Sequence, residues 1–191
     1  MMVDDVARSI DALERGEVVV IPTDTVYGLA ADPKSPEAMR ALFALKQRPE
    51  GVPTAVLIDS IEQASELILV SDVVGALAAA HWPGALTIVA SATDDHGLHI
   101  GSSTTVGVRL PDHDFVRAIA VGFGPIAATS ANRHGEPTIT DPRNLAAAYG
   151  TSVEVIIDGG VLEGLASTVV DATKKTLVVL RQGVVHLDQS N

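Results

Sequence analysis

Apolar residues along this chain follow two periods. Val6, Ile10 and Leu13 recur at the spacing of one helix face, and Gly16 stands where such a helix would stop. Residues 18–21, Val-Val-Val-Ile, form an unbroken β-branched run that suits a strand buried on both faces. Ser35, Pro36 and Glu37 supply an N-cap, a proline for the first turn and an acid for the positive helix end, which predicts a helix running to about Lys46. Further strand-like runs occupy 54–58, 86–90, 105–110, 126–128, 153–157, 167–171 and 176–181. Helical stretches fall at 73–81, 115–121 and 142–149, the last capped by Asp141. Strands interleaved with helices predict an α/β layered fold with helices on the faces of a twisted sheet. The last two strands have no helix between them, so some pairing is antiparallel and the sheet is mixed. No repeat or low-complexity linker divides residues 1–191, which read as a single domain. Gly150 and the loop 93–103 are the only seams.

Composition narrows the functions open to such a domain. Thirteen Lys and Arg against 24 Asp and Glu give a formal net charge of −11. That excess opposes a nucleic-acid coat protein and docking on anionic membranes. Aromatic residues at 3% leave too few rings for a stacking platform, so any tRNA contact is expected to be weak. With no cysteine, thiolate zinc sites and cysteine nucleophiles are excluded. An acidic, amphipathic start and short apolar runs predict no signal peptide and no membrane span, hence a cytoplasmic location.

Against this background, a few cations stand in unusual places. Arg109 lies inside Val-Gly-Val-Arg-Leu, and Arg181 ends Leu-Val-Val-Leu-Arg. A buried guanidinium requires either an internal carboxylate or a bound anion, and both remain open. Lys46-Gln47-Arg48-Pro49 follows an amphipathic helix; it is either a solvated helix end or a fixed loop projecting two cations. Hydroxyls and an amide cluster after strands at Thr23-Asp24-Thr25, at Thr129-Ser130-Ala131-Asn132 and at Ser167-Thr168. Strand ends are where ligands bind in open α/β sheets. Three such loops and three cationic positions describe a site for a polyanion and a small polar partner. Other chemistry is poorly supported. The phosphate loop and the dinucleotide fingerprint are absent. Ser130 lacks a nucleophile elbow. His96-Gly97-Leu98-His99, beside Asp94 and Asp95, reads as an exposed loop rather than a metal site.

Taken in order, Pro22-Thr23-Asp24-Thr25-Val26-Tyr27-Gly28-Leu29, Lys46-Gln47-Arg48-Pro49, Trp82-Pro83-Gly84, Val108-Arg109-Leu110-Pro111, Thr129-Ser130-Ala131-Asn132 and Ser167-Thr168-Val169-Val170-Asp171 resemble the YrdC-like family. The likeness spans about Gly16 to Gly183 and matches the short form without a C-terminal domain. It implies a twisted mixed sheet with a central ligand cavity. It also implies L-threonylcarbamoyladenylate synthase activity, in which L-threonine, bicarbonate and ATP give threonylcarbamoyl-AMP and pyrophosphate for tRNA modification. By that resemblance Lys46 and Arg48 are the catalytic cations and hold ATP phosphates, with magnesium as counter-ion. Thr105, Asn132, Thr140 and Arg181 would also contact the nucleotide. Thr23, Ser130 and Ser167 would surround threonine, and Arg109 would take its carboxylate, a planar fork against a planar anion. A downstream tRNA threonylcarbamoyl transferase complex would receive the product. Two other functions are compatible with the fold: a non-catalytic tRNA-binding module, and a carbamoyl-adenylate enzyme using carbamoyl phosphate. One departure stands out, because Val52-Pro53-Thr54 replaces the Lys or His, Pro and Leu expected after Arg48-Pro49.

Overall fold

The computed structural model describes residues 2–49, 51–94 and 96–187; Met1, Glu50, Asp95 and residues 188–191 lie outside the described residues. Fifteen elements follow along the described residues. They are α1 (Met2–Glu14), β1 (Val19–Ile21), β2 (Gly28–Ala31), α2 (Pro36–Lys46), β3 (Ala55–Leu57), α3 (Ile61–Leu67), α4 (Asp72–His81), β4 (Leu86–Ser91), β5 (Thr105–Arg109), α5 (Asp114–Phe123), β6 (Ile126–Ser130), α6 (Pro142–Tyr149), β7 (Val155–Ile156), β8 (Thr168–Asp171) and β9 (Val178–Arg181). The strands form one sheet in the order β7-β1-β2-β6-β3-β5-β4-β8-β9. Pairs β1/β7, β3/β5 and β4/β8 are parallel. The other neighbours, β8/β9 among them, are antiparallel, as the missing helix before β9 predicts.

Strand side chains alternate between faces, and the two faces have different covers. Val18, Val20, Leu29, Ala31, Val56 and Ile58 enter a core shared with α2, α3, α4 and α6. Their neighbours Val19, Ile21, Ala30 and Leu57 enter a second core with α1 and α5. Burial on both sides explains the unbroken apolar run of β1. The first core continues beneath β4 and β5 through Leu86, Ile88, Val106 and Val108. The second does not, so among the described residues that half of its face has no helix over it. The expectation of helices on both faces therefore holds for only part of the sheet.

The helix ends follow the sequence signals. Ser35 Oγ accepts the Ala38 N–H at 3.1 Å, and Asp141 Oδ1 accepts that of Arg143 at 2.8 Å. At its other end α2 stops at Gln47, whose left-handed backbone (φ 53°) turns the chain toward Arg48. Two elements escape the sequence reading. β2, Gly-Leu-Ala-Ala, carries no β-branched residue and sits between β1 and β6 because its neighbours hold it there. α3 spans seven residues, too few for a period to register, and is announced only by Ser60, which accepts the Gln63 N–H at 3.3 Å.

Candidate active site

The uncovered half-face forms the floor of a cavity of about 670 Å³, a volume suited to a small-molecule site. Alternate residues of five strands supply that floor: Ala55 and Leu57, Thr87 and Val89, Thr105 and Gly107, Ala128, and Val169 and Asp171. Most are small, and the hollow exists because they do not fill it. The site therefore spreads over the face of the sheet and also reaches the carboxyl ends of its strands, where Arg109, Ser130, Asp171 and Arg181 stand. The strand-end argument located the surrounding loops but missed the floor. The overlooked signal is a period of two, in which Thr105, Gly107 and Arg109 alternate with the buried Val106 and Val108.

Seven of the sequence-selected residues line this cavity: Thr23, Arg48, Thr105, Arg109, Ser130, Ser167 and Arg181. Three do not, namely Lys46, Asn132 and Thr140. Arg109 is 5% exposed and already has a carboxylate. Its Nη2 meets Asp24 Oδ1 at 2.5 Å, its Nη1 donates to Thr25 Oγ1 at 3.0 Å, and its Nε donates to the Gly84 carbonyl at 3.0 Å. The Trp82-Pro83-Gly84 turn thus braces this guanidinium. Three of its five N–H groups are engaged, so donors remain for a ligand.

Lys46 is 2% exposed and faces inward. Its ammonium donates to Ser130 O (2.6 Å), Ser130 Oγ (3.2 Å), Asn132 O (3.1 Å) and Asn132 Oδ1 (2.8 Å). Asn132 in turn donates to the carbonyls of Arg133 and Glu136. Lys46 therefore clamps the turn that carries Ser130 instead of lining the cavity itself. Burial, then the charges of Arg48 and Arg181, push its pKa down to about 8. Arg48 is lowered by burial and by Arg181. Arg181 is lowered by loss of water and by Arg109. Positive charges that destabilise one another in a chain of net charge −11 mark a place where an anion is favoured.

Hydroxyls complete the walls. Ser167 Oγ lies 2.9 Å from Thr87 Oγ1 and 3.0 Å from Arg181 Nη2, while the Ser167 carbonyl takes Arg181 Nε at 3.0 Å. Thr23 Oγ1 accepts the N–H groups of Thr25 and Val26 and donates to Val26 O at 2.6 Å, so it also holds its own loop. Arg48 donates to Pro53 O at 2.6 Å, which ties the cation to the divergent Val52-Pro53-Thr54 segment; all three of those residues line the cavity.

Tyr27, fully buried, anchors the segment 159–166 beside the cavity. Its hydroxyl donates to Gly160 O at 2.7 Å and accepts the Gly159 N–H at 2.8 Å. Gly164 then packs directly on the Thr25 carbonyl, where a Cβ would stand 2.0 Å from the oxygen. Tyr27→Phe should leave two backbone groups unpaired and lower the unfolding free energy by about 1–3 kcal/mol, read by denaturant titration. An unchanged midpoint would show that water replaces the hydroxyl.

Comparison with known proteins agrees with this architecture. The Sua5, YciO and YrdC family model, described as telomere recombination, matches residues 11–183. The chain is 36% identical to threonylcarbamoyl-AMP synthase of Pyrococcus abyssi over 181 residues, 93% of this chain and 53% of that one. It thus spans about half the length of that relative. With threonylcarbamoyl-AMP synthase of Vibrio cholerae serotype O1 it shares 33% identity over 189 residues, 95% of this chain and 99% of that one. The solved structure of P. abyssi Sua5 complexed with L-threonine superimposes with a TM-score of 0.84 at 34% identity, covering 93% of this chain and 54% of that one. On fold, order of motifs and sequence, this chain belongs to the Sua5/YciO/YrdC family.

Proposed function

We propose that this chain is a threonylcarbamoyl-AMP synthase. The observation that carries the reading is the convergence of Arg48, Arg109 and Arg181 on one cavity, with Lys46 behind its wall, in an otherwise acidic protein. The amine of L-threonine adds to bicarbonate with loss of water, and a carbamate oxygen attacks the α-phosphorus of ATP. The bond to the β-phosphate bridging oxygen breaks, and pyrophosphate leaves. No covalent enzyme intermediate is required. The chain's task is to hold two anionic reactants together and offset their charge away from water.

In this scheme Arg48 and Arg181 hold the triphosphate, and Thr105 contacts the nucleotide. Threonine lies against Thr23, Ser130 and Ser167, with its carboxylate on the free donors of Arg109. Lys46 and Asn132 act through the Ser130 turn, as positioning groups. Thr140, whose carbonyl accepts the Leu162 N–H at 3.0 Å, supports the 159–166 segment. Asp171 is the only carboxylate among the described residues lining the cavity, so magnesium would enter on the phosphates, where it offsets their charge. A chain with no described helix long and apolar enough to cross a membrane fits cytoplasmic work on tRNA, with a transferase complex taking the product. The test is pyrophosphate release from ATP by purified protein. It should need both threonine and bicarbonate; release without threonine, or none under any combination, rejects the activity.

A further inference from the structure

The two edges of the sheet are finished differently. β7, at one end of the strand order, has two residues; Val155 is buried and Ile156 packs against the first core. A short, covered edge is well protected from further pairing. β9, at the other end, pairs with β8 alone, so its outer row of backbone N–H and C=O groups meets no strand among the described residues. Its side chains are open as well. Val178 is 52% and Leu180 57% exposed, and Leu177 before them also faces solvent. Exposed Leu165 and Val184 extend this apolar margin, because the Val184 N–H donates to the Ala166 carbonyl at 3.2 Å. Six of the twelve large apolar side chains exposed among the described residues lie between positions 161 and 184, so the margin is a concentration and not a scatter.

Charge selects among the occupants such an edge could take. Positions 172–187 hold Lys174, Lys175 and Arg181 and no carboxylate, in a chain of net charge −11. Arg181 is folded back onto Ser167, so the two exposed lysines in the turn before β9 carry the outward charge. Neither lysine is in an ion pair among the described residues; Lys174 acts on Asp171 by charge alone. A second copy pairing along this edge would bring like cations together, which is unfavourable across a strand pair. Lysines beside an apolar strand guard natural edges in this way. The same lysines attract carboxylates, whereas the rest of the chain repels them. RNA would meet the cations but neither the apolar side chains nor the open backbone row.

We infer that β9 is a docking edge for an extended acidic segment of another protein, which joins the nine-stranded sheet as a further strand. Main-chain hydrogen bonds along roughly 13 Å of edge hold the segment. Its apolar side chains cover Val178 and Leu180, and its carboxylates meet Lys174 and Lys175. Leu180 and Arg181 also line the cavity, so the added strand lies at the cavity's mouth. The surface goes beyond the adenylate reading and does not rest on it.

Amide NMR on the isotope-labelled full chain tests the assignment. The probes are a capped peptide Glu-Val-Glu-Leu-Glu-Val-Glu, its counterpart with lysine in place of every glutamate, and a tRNA transcript. The acidic peptide should shift the amides of 176–182 and slow their exchange. It should bind about tenfold tighter than the lysine peptide, the yield of two exposed ion pairs and the repulsion they replace. Val178→Glu should weaken the acidic peptide about tenfold with an unchanged denaturant midpoint, since the side chain is exposed. Lys174→Glu combined with Lys175→Glu should reverse the preference between the two peptides, a result that misfolding cannot produce. Equal affinity for both peptides, changes confined to the cavity cations, or no binding of the acidic peptide would overturn the docking edge. A tRNA transcript that perturbs 174–181 more strongly than the peptide assigns the surface to nucleic acid and overturns it too. Shifts at β9 that grow with protein concentration alone give the edge to a second copy and reject the acidic partner.

Discussion

Replacing Arg109 with alanine should lower the unfolding free energy by about 3–5 kcal/mol, because Asp24 would remain buried without a counter-charge. The two side chains are 6% and 11% exposed, so little water can take the place of the guanidinium. On the proposed reading the same change should also abolish saturation by threonine, since the cavity would lose the fork assigned to its carboxylate. Stability and binding can be separated by two companion variants. Arg109→Lys keeps the charge but not the planar fork, so the threonine KM should rise steeply with a smaller loss of stability. The double variant Asp24→Ala, Arg109→Ala removes the stranded carboxylate along with its partner. It should be more stable than the sum of the single changes predicts. Additive losses in the denaturant titrations would mean that the pair is not the source of the cost, and an unchanged threonine KM in Arg109→Lys would remove the residue from the threonine site.

Lys46 should give the second large effect, and its pH dependence has two opposite signs. The folded ammonium titrates at about 8, whereas a lysine in the unfolded chain titrates near ~10.4. Between those values the unfolded state holds a proton that the folded state has released. Stability from this site is therefore lacking below about pH 8 and rises as the pH climbs toward ~10.4, by about 3 kcal/mol in all. Lys46→Met should flatten that rise in thermal or denaturant unfolding. Activity should run the other way. The charged ammonium fixes the Ser130 turn and on the proposed reading would raise the potential where the phosphates bind, so kcat/KM for ATP should fall up to tenfold per pH unit above about 8. In Lys46→Met it should be low at every pH. A flat profile for the unaltered protein between about pH 7 and 9 would leave the ammonium a purely structural clamp.

These two residues also show where sequence alone runs short. Lys46 read as a solvated helix end or a projecting cation, so its burial was not legible. That Arg109 occupies apolar surroundings was legible from its neighbours, and so was its need for a partner. Which partner was not, because Asp24 lies 85 positions from Arg109 and Ser130 lies 84 from Lys46, and no local period reports such a distance. The helix over 36–46 was legible because its cap, proline and apolar stripe all lie within a few residues. β1 was legible because burial on both faces leaves an unbroken run. β2 was not, since its pairing with β1 and β6 overrides a weak intrinsic preference. The cavity loops were visible as hydroxyl clusters, but the floor was hidden, because a missing helix over half a sheet leaves no mark on the strands beneath it except smaller residues at every second position.

That alternation divides the work of β5 between adjacent residues. Val106 and Val108 hold the protein together, while Thr105, Gly107 and Arg109 meet whatever enters. Mutation can therefore reshape the chamber one carbon at a time while the packed layer on the opposite side goes untouched. A scaffold wired in this way can change Thr105 or Gly107 at little cost to its packing, whereas Arg109, ion-paired with Asp24, ties part of the chamber to stability. Lineages descended from it are therefore freer to diverge at the first two positions than at the third.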